Sequence, residues 1–149
     1  MALIVAQLAQ GITPEKIALT IALGLNLGIF PILGTTTVLC LGAGLWLRLN
    51  QPVIQLVNWL ASPLQLMLIL VFVRIGEWLM RAQRVNFSIP ELMRKFRESP
   101  VKFFQEFGLT GLHGIVAWLV IAPFLTALIY FTLLPLLKRL ARKEAPHAE

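Results

Sequence analysis

Three stretches of this chain carry no charged side chain. There are 31 such residues between Lys16 and Arg48, 25 between Arg48 and Arg74, and 31 between Glu106 and Lys138. A helix crosses a hydrocarbon core of ~30 Å with about 20 apolar residues. Each run exceeds that length. Of the 149 residues, 58% are hydrophobic and 13% charged, against about 45–50% and about 25% in a soluble domain. A small globule cannot hide that excess. The expected fold is all-α: a polytopic helical membrane protein with three membrane segments, in contact with the lipid bilayer.

The first run is too long to be one straight crossing. As a single helix it would reach about 46 Å. Its centre reads GIFPILGTTT. A break at Pro31–Gly34 leaves limbs 17–30 and 35–47, each about 20 Å long, and neither spans alone. A re-entrant helical hairpin fits, and so does a strongly kinked crossing. The hairpin returns Arg48 to the side of Lys16, as the positive-inside rule asks, and is the expectation. The second run holds NWLASPLQL. Ser62-Pro63 is an N-cap followed by a first-turn proline, a helix restart. Asn58 and Ser62, four apart, share a face if the helix runs through. Offset by 32 residues, 19–47 and 51–79 align Asn26 with Asn58, Pro31 with Pro63, Gly44 with Gly76 and Trp46 with Trp78. Such pairs of Pro- or Gly-interrupted segments point to a binding site between repeats.

A helix that starts inside a membrane leaves its first N–H groups unpaired, and with its positive dipole end they attract an anion or polar headgroup. Gly34, Thr35, Thr36 and Thr37 stand at one such start, and Asn58, Ser62 and Gln65 at the other. These seven are the candidate substrate-binding residues, with Pro31 and Pro63 as the structural breaks. The competing reading is plainer: threonines capping or bonding back to helix carbonyls, and Asn58 and Ser62 tying neighbouring helices.

Residues 81–106 form a polar linker. Thr13-Pro14-Glu15 starts a helix, and Ser88 with Glu91 makes a capping box. After it Ile89, Leu92, Met93, Phe96, Phe103, Phe104 and Phe107 recur at helical spacing, with charged residues opposite. Ser99-Pro100 kinks or restarts this segment. An amphipathic helix in the membrane interface is expected; the alternative is a helix packed on the protein's own core. The chain thus divides into a membrane core (1–80), the linker (81–106), and a C-terminal membrane segment with a basic tail (107–149). Lys138, Arg139, Arg142 and Lys143 put the tail in the cytoplasm. The basic linker makes the same claim, so the third run either turns back near Pro123 or one cluster yields.

The net charge of +6 comes from residues flanking apolar runs. That suits membrane anchoring, and nucleic acid is not an expected partner. MALIVAQLAQ lacks a basic n-region and is not read as a cleaved signal. One cysteine, Cys40, no Asp and two His leave no metal site, no cofactor and no catalytic residue to name; nucleophile, metalloprotease and nucleotide-loop motifs are missing. No enzyme is expected. Arg48 and Arg74 snorkel at segment ends. Glu77 pairs with Arg74 three residues before it. His113 sits at an interfacial helix end, and Trp46, Trp59, Trp78 and Trp118 supply interface anchors.

Several spaced elements agree in order with one family: G-x-T-P at Gly11–Pro14, ALG at Ala22–Gly24, G-x-F-P-x-x-G-x-T at Gly28–Thr36, LRLN at Leu47–Asn50 before Pro52, and N-W…P-L around Asn58 and Pro63. The chain resembles the prokaryotic membrane family called domain of unknown function 2062, strongly over residues 10 to 80 and loosely beyond. Ser62 departs from the Asn that family members often carry before the second proline, and Asn26 takes an apolar position. The resemblance implies a multi-pass protein of a bacterial cytoplasmic membrane. Relatives joined to glycosyltransferase domains point to envelope work. The functional expectation is binding or translocation of a small polar or anionic substrate, or a lipid headgroup, by a homo-oligomer. The alternative is a non-catalytic anchor or assembly partner for an envelope enzyme.

Overall fold

The computed structural model describes residues 12–84, 86 and 88–144, and Gly11 of the G-x-T-P element lies outside them. The described residues form five helices and no strand: α1 Pro14–Gly28, α2 Thr36–Trp46, α3 Gln51–Leu79, α4 Ile89–Glu98 and α5 Pro100–Glu144. α3 and α5 are long and apolar enough to cross a bilayer.

Local chemistry sets the helix starts. Thr13 Oγ1 accepts from Lys16 N (3.4 Å), with Pro14 in the first turn. Asn50 Oδ1 accepts from Val53 N (3.0 Å), with Pro52 behind it. Ser88 Oγ accepts from Glu91 N (3.4 Å). Ser99 restarts the chain as α5, accepting from Lys102 N (3.4 Å). Each cap satisfies one donor that the first turn would leave open. α2 and α3 end alike. Arg48 and Arg81 take the left-handed conformation, φ 52° in both. The next N–H then reaches back five residues, Leu49 to Gly44 O (2.8 Å) and Ala82 to Glu77 O (2.9 Å). This is the Schellman closure, with arginine where glycine is usual.

α1 is the central element: from Ile17 to Phe30 no residue is exposed. Its Gly24 and Gly28 form a G-x-x-x-G face against α3. A Cβ on Gly24 would sit 2.9 Å from Val57, and one on Gly28 2.9 Å from Ala61. Small residues at this spacing let two backbones approach closely. α1 and α3 run parallel, and α5 runs antiparallel to both. Glu15 pairs with Lys138 at one end (2.9 Å). Asn26 Nδ2 donates to Ala122 O (3.0 Å) and Thr126 Oγ1 (2.5 Å) midway, and Trp118 Nε1 donates to Asn26 O (3.1 Å). Further along, the α3 and α5 backbones touch at Gly76 and His113. The largest buried apolar cluster lies where the three meet, with Ile29, Ala61, Phe72 and Ala117 at its centre.

Three expectations are corrected, and the alternative left open for the third run is decided. The second run does not restart at Ser62-Pro63; α3 continues through Pro63. An internal proline removes one helix bond and costs about 3 kcal/mol, but Pro63 points outward while α1 and α5 hold the opposite face. Ser62 is therefore no cap, and its Oγ donates to Asn58 O (3.3 Å). The proline break is thus not shared by the two aligned halves. The third run does not turn back near Pro123: α5 passes through Pro123 and Pro135 as one helix of 45 residues. Linker and tail consequently sit at opposite ends. Trp118 is no surface anchor, being tied to Asn26 and edge-on to Phe30, whereas Trp46, Trp59 and Trp78 are well exposed. His113 is not at a helix end but inside α5.

The α3–α5 crossing has no slack. A Cβ on Gly76 would overlap the His113 carbonyl, while one on Gly42 or Gly108 would meet open space. Gly76→Ala is expected to destabilise by at least the ~1–3 kcal/mol of an overpacked core. Gly42→Ala and Gly108→Ala should be neutral or stabilising by up to about 1 kcal/mol. Thermal melts in one detergent check the contrast.

Candidate functional site

The first run breaks where the glycine, proline and threonines stand. α1 ends at Gly28, Pro31 is buried, and Gly34 takes φ +80° before α2 begins. Only glycine adopts that conformation without penalty. α2 then folds back along α1, with Cys40 packed among Leu19, Leu23 and Leu27. The hairpin tip, 29–35, lies level with Gln65, the fifteenth of the 29 residues of α3. Gln65 is buried and donates from Nε2 to Phe30 O (2.7 Å) and Ile32 O (3.3 Å). A tight turn inside an apolar bundle exposes carbonyls that need donors, and Gln65 supplies them.

Below the tip the same face of α3 grips α2. Gln51 Nε2 donates to Leu41 O (3.2 Å), and Gln55 Nε2 to Thr37 O (3.1 Å). Asn58 Nδ2 lies 3.4 Å from both Thr37 Oγ1 and Gln55 Oε1. Gly44 leaves the space that the Gln51 amide occupies. Gln51, Gln55, Asn58, Ser62 and Gln65 follow one another at spacings of four, three, four and three, one stripe of a helix. Sequence reasoning picked out only Asn58, Ser62 and Gln65. Reading α3 as unbroken would have revealed Gln51 and Gln55 by the same periodicity. Asn26, which the sequence marks as a departure from the family pattern and as the counterpart of Asn58, ties α1 to α5.

The threonines do not cap α2. Thr35 occupies the cap position in a helical conformation without a side-chain cap bond, and its hydroxyl donates backward to Ile32 O (3.0 Å). Thr36 is buried and Thr37 exposed, its oxygen facing Asn58. The first turn of α2 thus keeps its backbone N–H groups without a side-chain acceptor. Two acceptors of the stripe, Gln51 Oε1 and Asn58 Oδ1, are buried without a partner among the described residues. Asn58 faces Thr37 below the tip, with Ser62 one turn further along α3, and Gly34, Thr35, Thr36 and Gln65 stand at the tip itself. Beyond it lies an apolar cavity of about 320 Å³ between Leu33, Ile69, Val73, Leu92, Phe103 and Phe107; the threonines do not line it. α4 closes that side. Leu92 is buried against Ile69 and Val73, and Phe96 lies beside Gly34. The apolar face of the linker packs on the protein's own helices. Among the described residues no three metal-binding side chains cluster.

A family model described as "uncharacterized protein conserved in bacteria (DUF2062)" matches residues 3–145. The chain belongs to the DUF2062 family. The match takes in the tip, the polar stripe and α5, and so covers far more than the residues that carry the resemblance most strongly. No curated protein and no solved structure matches this DUF2062 chain.

Gln65→Leu removes both bonds to the tip, leaving Phe30 O without a side-chain donor and Ile32 O with the Thr35 hydroxyl alone. A loss of ~1–3 kcal/mol is expected. Ser62→Ala, which removes only a bond back to its own helix, should cost under about 1 kcal/mol. Unfolding curves of the two variants measure the difference.

Proposed function

We propose that this is an integral membrane protein of the bacterial cytoplasmic membrane, and that its α1–α2 hairpin is re-entrant. α3 reaches about 43 Å, close to a bilayer with its headgroup regions. Trp46 and Arg48 stand at one end of it, Trp78 and Arg81 at the other, a spacing suited to two interfacial belts. Between them Trp59, Leu60, Leu64, Met67 and Val71 are exposed and apolar, as lipid contact requires. The hairpin enters beside Arg48 and turns at mid-depth, where irregular backbone is tolerated only when buried in protein.

The proposed activity is binding or translocation of a small polar or anionic group, or of a lipid headgroup, at the start of α2. One observation carries it: a helix begins halfway along the bundle with no side chain capping its first turn. Its N–H groups and dipole favour negative charge there. Exposed Thr37 and Gly34 give access. The anchor alternative would use the apolar face of 88–107, and Leu92, Phe103 and Phe107 of that face are packed inward with Leu33, Ile69 and Val73. That favours the site reading. The exposed apolar surface suits self-association into an oligomer that encloses the path.

Thr36→Val keeps shape and removes a hydroxyl at the start of α2 while leaving the Asn58–Thr37 contact in place. In proteoliposomes it should lower headgroup-labelled lipid scrambling or anion uptake at least tenfold with unchanged folded yield. Flux at the level of empty vesicles in the parent chain would sink the reading. Topology is tested apart from flux, in a Cys40→Ala background. Leu47→Cys and Ala141→Cys should label with an impermeant thiol reagent from the cytoplasmic side, and Gln83→Cys from the other. Labelling of 47 and 83 from one side would overturn the α3 crossing, and labelling of Thr13→Cys from the side opposite to 47 would overturn the hairpin.

A further inference from the structure

We propose a second site, separate from the hairpin tip: a phosphate-binding cavity at the C-terminal end of α3, built to take the phosphate ester of an anionic lipid headgroup. It rests on the membrane reading above. The cavity holds about 530 Å³ and is lined by Arg74, Glu77, Trp78, Leu79, Arg81 and Arg84. That volume admits a glycerophosphate headgroup within the range of small-molecule sites.

The charge is one-sided. Three guanidinium groups face one carboxylate. Glu77 is 2% exposed and paired with Arg74 through Nη1–Oε2 at 2.8 Å. Burial makes that pair a fixture: the carboxylate holds Arg74 at the wall of the cavity, with 38% of its side chain open. Arg81 and Arg84 are exposed. The end of α3 does not use them, because Met80, Arg81 and Ala82 N–H groups already close on Gly76, Trp78 and Glu77 carbonyls. Planar guanidinium forks match phosphate oxygens in pairs. Trp78, 76% exposed, and Leu79, 43% exposed, set the depth: an indole and an apolar chain beside the cavity at the level where headgroup meets acyl chain.

The molecule carries its own control. Arg48 shares with Arg81 the left-handed backbone, the Schellman closure and a neighbouring exposed tryptophan, but it is not among the residues that line this cavity. If the arginines merely snorkel, Arg48 and Arg81 behave alike. If the cavity binds phosphate, only the α3 end responds.

The test uses the full chain. Retention in membranes after an alkaline carbonate wash is scored first. Release overturns the membrane reading, and inorganic phosphate binding to the released protein then tests the cavity by itself. With the retained protein in detergent, native mass spectrometry compares dioleoyl-phosphatidylglycerol, dioleoyl-phosphatidylcholine and inorganic phosphate. Phosphatidylglycerol is expected to bind at least tenfold more tightly than phosphatidylcholine. Arg81→Gln with Arg84→Gln should lose that preference. Arg81→Lys with Arg84→Lys should lose much of it despite equal charge, and Arg48→Gln should keep it, all with melting temperatures near the parent. Inorganic phosphate binding without lipid supports the site and assigns it to a free anion. Equal retention of the two lipids with no phosphate binding, or an Arg48→Gln loss matching the double variant, overturns the proposal.

Discussion

The polar stripe of α3 is the interaction on which the rest of the structure depends. α1 and α2 are short helices, of 15 and 11 residues, joined by a turn that leaves carbonyls inside an apolar bundle. On the proposed membrane reading, apolar packing alone gives these helices little reason to associate, because lipid tails resemble leucine side chains. What holds the hairpin is a row of amides. Gln51 and Gln55 hold α2 by its carbonyls, Asn58 meets Thr37, and Gln65 closes the tip. Asn26 does the same work toward α5. Interhelical bonds of this kind average ~0.6 kcal/mol in membranes, so several are needed to place one hairpin.

Two prolines show how context decides what a residue does. Pro31 is followed by Gly34, whose positive φ lets the chain reverse, and Gln65 receives the freed carbonyls. Pro63 lacks both. No glycine follows it within a turn, and the opposite face of α3 is held by α1 and α5. Breaking there would release more backbone groups than the single bond that Pro63 forfeits. Identical residues at a 32-residue offset thus end one helix and leave the other whole.

Much was legible in the sequence because it is local. Three apolar runs, the caps at Thr13, Ser88 and Ser99, the break at Pro31–Gly34 and the Arg74–Glu77 pair all follow from neighbours within a turn. What was not legible depends on partners far along the chain. Trp118 looks like an interface anchor until Asn26 is found across from it. The face of 88–107 reads as interfacial because nothing local says that Leu33, Ile69 and Val73 lie beneath it. Which polar residues stand near the break can be read from the sequence, but their bonding cannot: the threonines at the start of α2 suggest caps, yet Thr35 bonds backward to Ile32. The helix restart assumed at Pro63 hid the stripe, because periodicity is not counted across a supposed break.

That bonding divides the polar atoms of the tip by chemistry. The amide donors of Gln51, Gln55, Asn58 and Gln65 point at backbone or side-chain oxygens of the hairpin and the stripe, so removing them loosens the fold. The N–H groups at the start of α2 have no side-chain acceptor, so they remain available to a ligand that brings negative charge. On the proposed reading, structure and binding use different atoms of one small region. The Thr36 hydroxyl can be deleted with little effect on the hairpin, whereas a stripe amide, or the Thr37 oxygen that Asn58 meets, cannot. An apolar substitution that lowers stability and binding together marks a strut. One that lowers binding alone marks the α2 start, and the hydroxyl of Thr36 is where that separation should be found.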